Sequence, residues 1–592
     1  MYFESLANEL LLDIFEFFDG IDLFRAFYGL NTRFNNLLST HFHPYRFNFR
    51  SISKHDFNSI CHHCLPLIIE RIISLKLSND DETPNLPNFL FSYGFTLDKF
   101  IRLQSLSLYS IPSFKQLNDI IVRCHQLPYL THLYLIDGPN DGEKKDTQLL
   151  FNNIWQLKKL HHLSINYILL GKLCLSRISV ESLSIQYLYI ENISCDLKNL
   201  LHLFKYTPNL RYLNTAIHYN VADEQIPIQI CSITSLKLTF ESSVPVMIKL
   251  FQMMPNLYSL TLKTMDIYLS GNKWKKILLN YLTKLKIFRL RMYFEFPHEK
   301  NINEQFEKLI NTYRSSFWIK KHQWFVQCDS IPFGTYNHGI LYTLPYAFNS
   351  FICYDTLISK YTCPDDKTYW RYKDVNSLQY MKYKINPTDY LNVLPIQFPN
   401  IQHLKIGFPF DELFYSFIPS LNQLKSLEIV LGENYIYQQL QTLINLSPCL
   451  YSLRLFYSFD SKVSVKQITS SSIRRLSFIT KCSMTLAYFN NDECTDLAYS
   501  QLGQQCEVLV IKIENRNNVL NLINIMKNLR SLVVQCKVDT WDKRNTSLNE
   551  DELVEWLRLS LPSTYSVCRD TNETSYIRIW IGENINNTFL SH

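Results

Sequence analysis

Residues 233–238 read ITSLKL, and residues 257–262 read LYSLTL. Both have the form apolar-x-x-Leu-x-apolar. On an extended chain successive side chains alternate between faces. Leu236 and Leu238 therefore share one face, and Lys237 points to the other. Working outward toward the amino terminus, the same hexapeptide returns as LRYLNT (210–215), VESLSI (180–185), LHHLSI (160–165), LTHLYL (130–135), LQSLSL (103–108) and IISLKL (72–77). Toward the carboxyl terminus it returns as LKIFRL (285–290), and after a gap as IQHLKI (401–406), LKSLEI (424–429), LYSLRL (450–455), IRRLSF (473–478), CEVLVI (506–511) and LRSLVV (529–534). The central residues Leu75 and Phe288 lie eight steps apart, roughly 27 residues per step, and Leu404 and Leu532 lie five apart, roughly 26 per step.

A strand that returns at one period predicts stacked repeats, each burying its leucines against its neighbours. The intervening positions (Lys76, Ser107, Tyr134, Ser164, Lys237, Thr261, Lys405, Glu428, Arg454) are expected on an exposed, concave sheet face. Several strands follow a Pro-x-apolar step, at Pro128, Pro208, Pro255, Pro399 and Pro448. Proline ends a preceding helix and turns the chain toward extended geometry. The segments ahead of it read as helices, for example Ile248–Met254 and Tyr437–Leu446. The pattern resembles leucine-rich repeats, although the Asn that usually follows their leucines is mostly absent. The fold class implied is α/β.

Between Arg291 and Asn400 the pattern lapses into an aromatic-rich stretch. Trp324, Val326 and Cys328 alternate, as do Ile340, Tyr342 and Leu344, so degenerate repeats with long loops are expected there. Such loops carry binding determinants. A helix from Asn549 to Leu561 and a strand at Tyr576–Ile581 predict a carboxyl-terminal cap from about 541.

Composition narrows the function. With 46% hydrophobic and 19% charged residues the chain reads as folded throughout. Only 13 glycines occur in 592 residues, and neither phosphate-cradling glycine motif is present, which disfavours a nucleotide-binding enzyme. The net charge of +6 includes no Lys/Arg block of the kind that tracks a phosphate backbone, so no nucleic-acid partner is expected. No apolar run of membrane-spanning length and no secretory signal is visible, and 15 irregularly spaced cysteines suit reduced thiols. The expectation is a cytoplasmic and/or nuclear protein without a membrane partner. Cys61-His62-His63-Cys64 is the one metal-like cluster, but it lacks a second ligand pair at finger spacing. No catalytic constellation is recognisable. No metal, no cofactor and no catalytic residue is expected.

The amino terminus differs from the rest. Residues 3–40 read FESLANELLLDIFEFFDGIDLFRAFYGLNTRFNNLLST. Asn8 is placed to cap a helix from Glu9 to Phe18, with Leu10, Ile14 and Phe17 on one face. Asp22 is placed to cap a second helix through Tyr28, and Asn31 a third. About forty residues cannot bury this much apolar surface alone.

Leu6-Ala7-Asn8-Glu9-Leu10-Leu11-Leu12-Asp13-Ile14-Phe15, then Asp22-Leu23, then Leu30-Asn31-x-Arg33-Phe34, resembles the F-box family in order and spacing. Ala7 stands where that family usually has proline. The resemblance implies three helices that dock on a Skp-type adaptor and, through it, on a cullin. It places Leu6, Leu10, Leu11, Ile14, Phe15 and Leu23 at or near the adaptor interface, with Phe34 and Leu37 packing the module.

The organisation expected is an F-box at 1–45, a linker at 46–65, and a curved leucine-rich-repeat-like α/β solenoid at 66–592. The function implied is a non-catalytic substrate-recognition subunit of a Skp–cullin–F-box ubiquitin ligase, tethering an unknown protein target. The alternative is a leucine-rich-repeat scaffold acting outside a ligase.

Overall fold

Each repeat needs its leucines covered on both sides by the next turn of chain, and this requirement organises the computed structural model. The residues described are 3–40, 44–138, 144–166, 175–218, 229–296, 302–333, 336–354, 359–364, 367–381, 396–410, 414–431, 437–457, 465–480, 487–537, 539, 551–570 and 573–582. Parts of the 291–400 stretch, and residues 549 and 550 of the expected last helix, thus fall outside the described residues. The chain divides into two compact units. The first comprises residues 1–210, 529–535 and 539–592, and the second comprises 211–528 and 536–538.

The first unit opens with three helices, α1 (Asn8–Phe15), α2 (Gly20–Phe27) and α3 (Thr32–Thr40). Their caps differ in part from the sequence reading. Asn31 does cap α3, accepting from the Phe34 amide at 3.0 Å. The second cap is Asp19, not Asp22; its carboxylate accepts from the Ile21 amide at 3.0 Å and the Asn48 amide at 3.4 Å. One side chain thus satisfies the helix start and the next strand together. Asn8 does not cap α1, because its side-chain oxygen accepts from the Arg33 guanidinium at 2.7 and 2.9 Å. Arg33 also donates to the backbone carbonyls of Glu4 and Leu6. This clamp holds the bend at Ala7 that a proline would otherwise restrict.

The stretch expected as a linker begins in the sheet and continues as helix from Lys54. Strand β1 (Tyr45–Asn48) pairs in parallel with β2 (Ile72–Ser78), setting Phe47 opposite Leu75. Phe47 and Phe49 take the inward places that leucines hold elsewhere, so the repeat pattern was masked by aromatics. A Cβ at Gly20 would lie 2.7 Å from the Phe47 ring, so α2 rests directly on β1. The parallel run continues through β3 (Ser105–Tyr109), β4 (His132–Ile136), β5 (His162–Asn166) and β6 (Tyr187–Cys195).

β6 corrects the fifth hexapeptide in chain order. The hexapeptide at 180–185 is not a strand, and its Leu183 is 65% exposed. The overlapping IQYLYI at 185–190 is used instead, with Leu188 opposite Leu163. Leu188 follows Leu163 by 25 residues and precedes Leu213 by 25, whereas Leu183 would make uneven turns.

In the second unit β7 (Tyr212–His218), β8 (Ser235–Glu241), β9 (Ser259–Thr264) and β10 (Ile287–Glu295) are parallel. Parallel repeats then stop. β11 (Phe325–Phe333) and β12 (Tyr336–Leu344) form an antiparallel hairpin, and β12 pairs antiparallel with β10. The strands expected at 324–328 and 340–344 exist, but they are a hairpin and not degenerate repeats.

Regular stacking resumes with β13 (Ser350–Tyr354), while β14 (Ser359–Tyr361) extends the hairpin beside β11. From β13 the parallel order runs through β15 (Ser377–Met381), β16 (His403–Gly407), β17 (Ser426–Val430), β18 (Ser452–Tyr457), β19 (Arg475–Thr480) and β20 (Val508–Ile513). FNSFIC (348–353) and VNSLQY (375–380) are two repeats that the leucine pattern passed over. Phe351 faces Leu378, which faces Leu404, and Phe351, Cys353 and Tyr380 are all buried.

Several of the helices between strands bury one face and begin at a side-chain cap. Ser113, Asp196 and Ser270 accept from the amide three residues on, and Asn490 with Glu493 forms a capping box. Where strands begin, one carbonyl of the previous repeat often accepts two successive amides. Gln104 serves Thr131 and His132, and Thr234 serves Tyr258 and Ser259.

The carboxyl-terminal segment belongs to the first unit. β21 (Ser531–Cys536), β22 (Ser566–Arg569) and β23 (Tyr576–Trp580) are antiparallel partners, with β23 between the other two. They pack on the early repeats. Arg530 pairs with Glu82 at 2.7 Å, Arg578 donates to the Asn79 carbonyl at 2.9 Å, and Trp580 lies 5.5 Å from Phe57. The expected cap is therefore built partly from residues near both ends of the chain.

Candidate functional site

Two surfaces stand out, one on the helices and one on the strands. Of the residues the F-box resemblance places at an interface, Leu11, Phe15 and Leu23 are no more than 2% exposed. They hold the three helices together: Phe15 lies 4.8 Å from Phe27, which lies 5.5 Å from Phe34. Leu6 and Ile14 are half-buried, and Leu10 is 51% exposed. The open apolar strip runs Leu10, Ile14, Phe17, and Phe17 at 89% exposure is its most accessible member. Phe17 was missing from the expected interface set, although its spacing from Leu10 and Ile14 put it on their face. α1 stops at Phe15, so Phe17 projects from the turn that follows.

The outward strand positions alternate with the buried leucines but are half-buried, not exposed, and Ser107 is buried at 4% exposure. In the first unit His132 stacks on His162 at 4.3 Å, and His162 on Tyr187 at 4.3 Å, forming a ring ladder across β4, β5 and β6. Burial and the neighbouring imidazoles hold both histidines below their ordinary pKa. In the second unit Glu428 lies between Lys405 at 4.0 Å and Arg454 at 2.8 Å, so the charges on β16, β17 and β18 largely compensate. The face of β8, β9 and β10 is different. It carries Lys237, Lys263, Arg289 and Arg291, while the Glu241 carboxylate is engaged by His218.

On the same side of the sheet as Arg291, which is paired with Tyr342 and through it with Gln327, the hairpin insertion is tied down by a closed polar network. The Asp329 carboxylate accepts from Tyr342 (2.6 Å), Gln327 (2.8 Å) and Ser359 (2.6 Å), and Tyr372 bridges Tyr342 and Gln327 at 3.1 Å each. Burial raises the Asp329 carboxyl above its usual range, and its hydrogen bonds oppose that shift. These side chains satisfy one another, and none of Gln327, Asp329, Tyr342 and Tyr372 is more than 1% exposed. The network is a fastening.

The metal-like cluster is split by the helix that carries it. Cys61 and Cys64 point into the core, where burial pushes both thiols up to about 12. His62 meets Tyr93 edge-on at 4.9 Å, and His63 stacks on Tyr28 at 6.4 Å. Among the described residues no group of three or more His, Cys, Asp or Glu is arranged to hold a metal ion. Among the same residues no helix is long and apolar enough to cross a membrane. The buried Cys506 thiol is likewise raised to about 12, and that of Cys328 well above its ordinary value, which leaves both protonated.

No family model and no curated protein matches the sequence. Among solved structures the chain is similar to one from the crystal structure of a TLR13–ssRNA13 complex, at 12% identity and a TM-score of 0.25. The alignment covers 82% of this chain and 60% of that one, so this chain spans less than two thirds of its neighbour's length. At that score nothing about this chain's function follows from the likeness.

Proposed function

We propose that this chain is the target-recognition subunit of a Skp–cullin–F-box type ubiquitin ligase, with protein binding and no bond chemistry as its task. The observation that carries the reading is the apolar strip Leu10–Ile14–Phe17 on the amino-terminal helices, with Leu10 51% and Phe17 89% exposed. These side chains lie in a stretch that resembles the F-box in order and spacing, and a covered strip would remove their apolar surface from water. Leu11, Phe15 and Leu23 then act by setting the helices' geometry, and Leu6 flanks the strip. Arg33 supplies from within the module the restraint that Ala7 lacks.

Stacked repeats suit the second half of the task. They offer an extended strand face made of side chains that the core does not need. A target held there would sit at high local concentration near the ligase's conjugating partner.

The test is co-purification of the full chain with a Skp-type adaptor, comparing wild type with a Leu10→Asp, Phe17→Asp double variant. Both side chains are substantially exposed, so the variant should fold with an unchanged melting temperature and lose the adaptor. A wild-type chain that captures no adaptor sinks the ligase reading and leaves the repeats as a scaffold. Equal capture by both chains would mean that the strip is not the adaptor surface.

A further inference from the structure

Strands β8, β9 and β10 place four cationic side chains on two adjoining rungs of one face, where Arg289 is exposed, Lys237 and Lys263 are half-buried and Arg291 is enclosed. On the first rung Lys237 aligns with Thr261 and Arg289. On the second, Thr239 aligns with Lys263 and Arg291. Among the described residues no carboxylate pairs with Lys263, Arg289 or Arg291. Lys263 lies 5.8 Å from the Tyr293 ring centre; burial and then the Arg291 charge lower its pKa, and the nearby Glu241 carboxylate opposes that shift.

Arg291 is the most telling of the four. It is only 4% exposed, yet its guanidinium meets one carbonyl, that of Ser350 at 3.1 Å, and the rings of Tyr293, Tyr346 and Phe348 at 5.0 to 5.9 Å. Its Nε has no partner. A guanidinium held out of water without a counter-ion is costly, and an incoming carboxylate beside the cluster would offset that cost.

We infer that this face of β8–β10 is a docking surface for an extended acidic peptide segment of a partner protein. Cations on β8 and β10 stand two strand spacings apart, about 10 Å. Side chains on one face of an extended segment recur every second residue, about 7 Å. The long Lys and Arg side chains reach across the difference, so the segment that fits has carboxylates at alternate positions. Tyr293 adds a ring against which the peptide can lie. The inference rests on the target-binding role proposed above and names the chemical class of the target.

The test uses the full chain and a fluorescent peptide, Glu-Ser-Glu-Ser-Glu-Ser-Glu, followed by anisotropy, beside the same peptide with Gln for every Glu. Binding of the Glu peptide, absence of binding by the Gln peptide, and at least about tenfold weakening in Lys263→Glu, Arg289→Glu are expected. A Lys263→Gln, Arg289→Gln variant, with a smaller loss in the same direction, gives the readout should the reversal unfold the chain. Equal affinity for the two peptides, or unchanged affinity in the variants, overturns the proposal. So does displacement of the peptide by a single-stranded RNA heptamer at lower concentration than an unlabelled Glu peptide, which would mark a nucleic-acid surface. Adaptor co-purification by the same variants separates the two readings. Peptide binding by a chain that captures no adaptor leaves this surface standing without the ligase, and adaptor capture without peptide binding leaves the ligase without this surface.

Discussion

At the scale of single residues, asparagine does more for the stacking than the leucine pattern shows. In the Pro-Asn-apolar steps Asn209, Asn256 and Asn400 donate to carbonyls of the previous repeat, those of Leu183, Cys231 and Lys373, at 2.8 to 2.9 Å. Asn528, after a lysine, does the same to Gln504 at 2.6 Å. The usual repeat asparagine is mostly missing, and a ladder of side-chain bonds is built one step earlier, ahead of the strand. Asn256→Ala and Asn400→Ala should each cost about 1 kcal/mol, the worth of one partly exposed hydrogen bond. A lower urea midpoint for each variant is the check, and no shift would mean that water replaces the bond without loss.

Between elements, what matters is which side chains neighbouring strands bring face to face. The ladder of His132, His162 and Tyr187 exists because β4, β5 and β6 are in register, and no local signal in any one strand announces it. Its consequence is a pH dependence of defined sign. In the folded chain both imidazoles titrate below the ordinary 6.5, through burial first and then through His161 for His132 and through His132 and His161 for His162. The unfolded chain therefore binds those protons more readily, and stability falls as pH drops through about 6.5. Replacing both with phenylalanine should keep the stacking and flatten the melting temperature between pH 7 and pH 5, while wild type declines. A wild-type profile as flat as the variant's would show that the ladder titrates no differently once unfolded.

At the scale of the molecule, the first unit joins residues separated by more than 440 positions. Arg530 and Glu82 are both about 10% exposed, Arg578 approaches Asp81 at 3.3 Å and Asp570 at 2.6 Å, and Ser531 donates to the Asp81 carbonyl. Arg569 is enclosed by Asp539 and Asp551 in the same segment. Truncating Glu82 removes the carboxylate from a nearly buried guanidinium, which keeps its bond to the Glu82 backbone carbonyl. Glu82→Ala should therefore destabilise the first unit by about 3–5 kcal/mol, whereas Glu82→Ala with Arg530→Met should recover much of that loss. Thermal unfolding of the two variants decides it, and equal losses would mean that the pair is not coupled.

The period of the strands, their α/β class, the inward leucines and the three amino-terminal helices could be read directly, because each depends on alternation or capping within a few residues. The even 25-residue spacing around Leu188 was also there to be read, though Leu183 competed with it. What escaped was carried by aromatics in leucine's place, at Phe47, Phe351 and Tyr380, since a pattern keyed to leucine does not register a ring that fills the same layer. The antiparallel turn of β11 and β12 escaped for another reason: alternation is identical in parallel and antiparallel strands. Of the surfaces, Leu10 and Ile14 were legible from helical spacing. That Leu11, Phe15 and Leu23 turn inward, that Arg291 is enclosed without a counter-ion, and that Glu82 meets Arg530 were decided only by the tertiary structure. Burial and pairing are properties of what packs against a residue, and local sequence does not contain the partner.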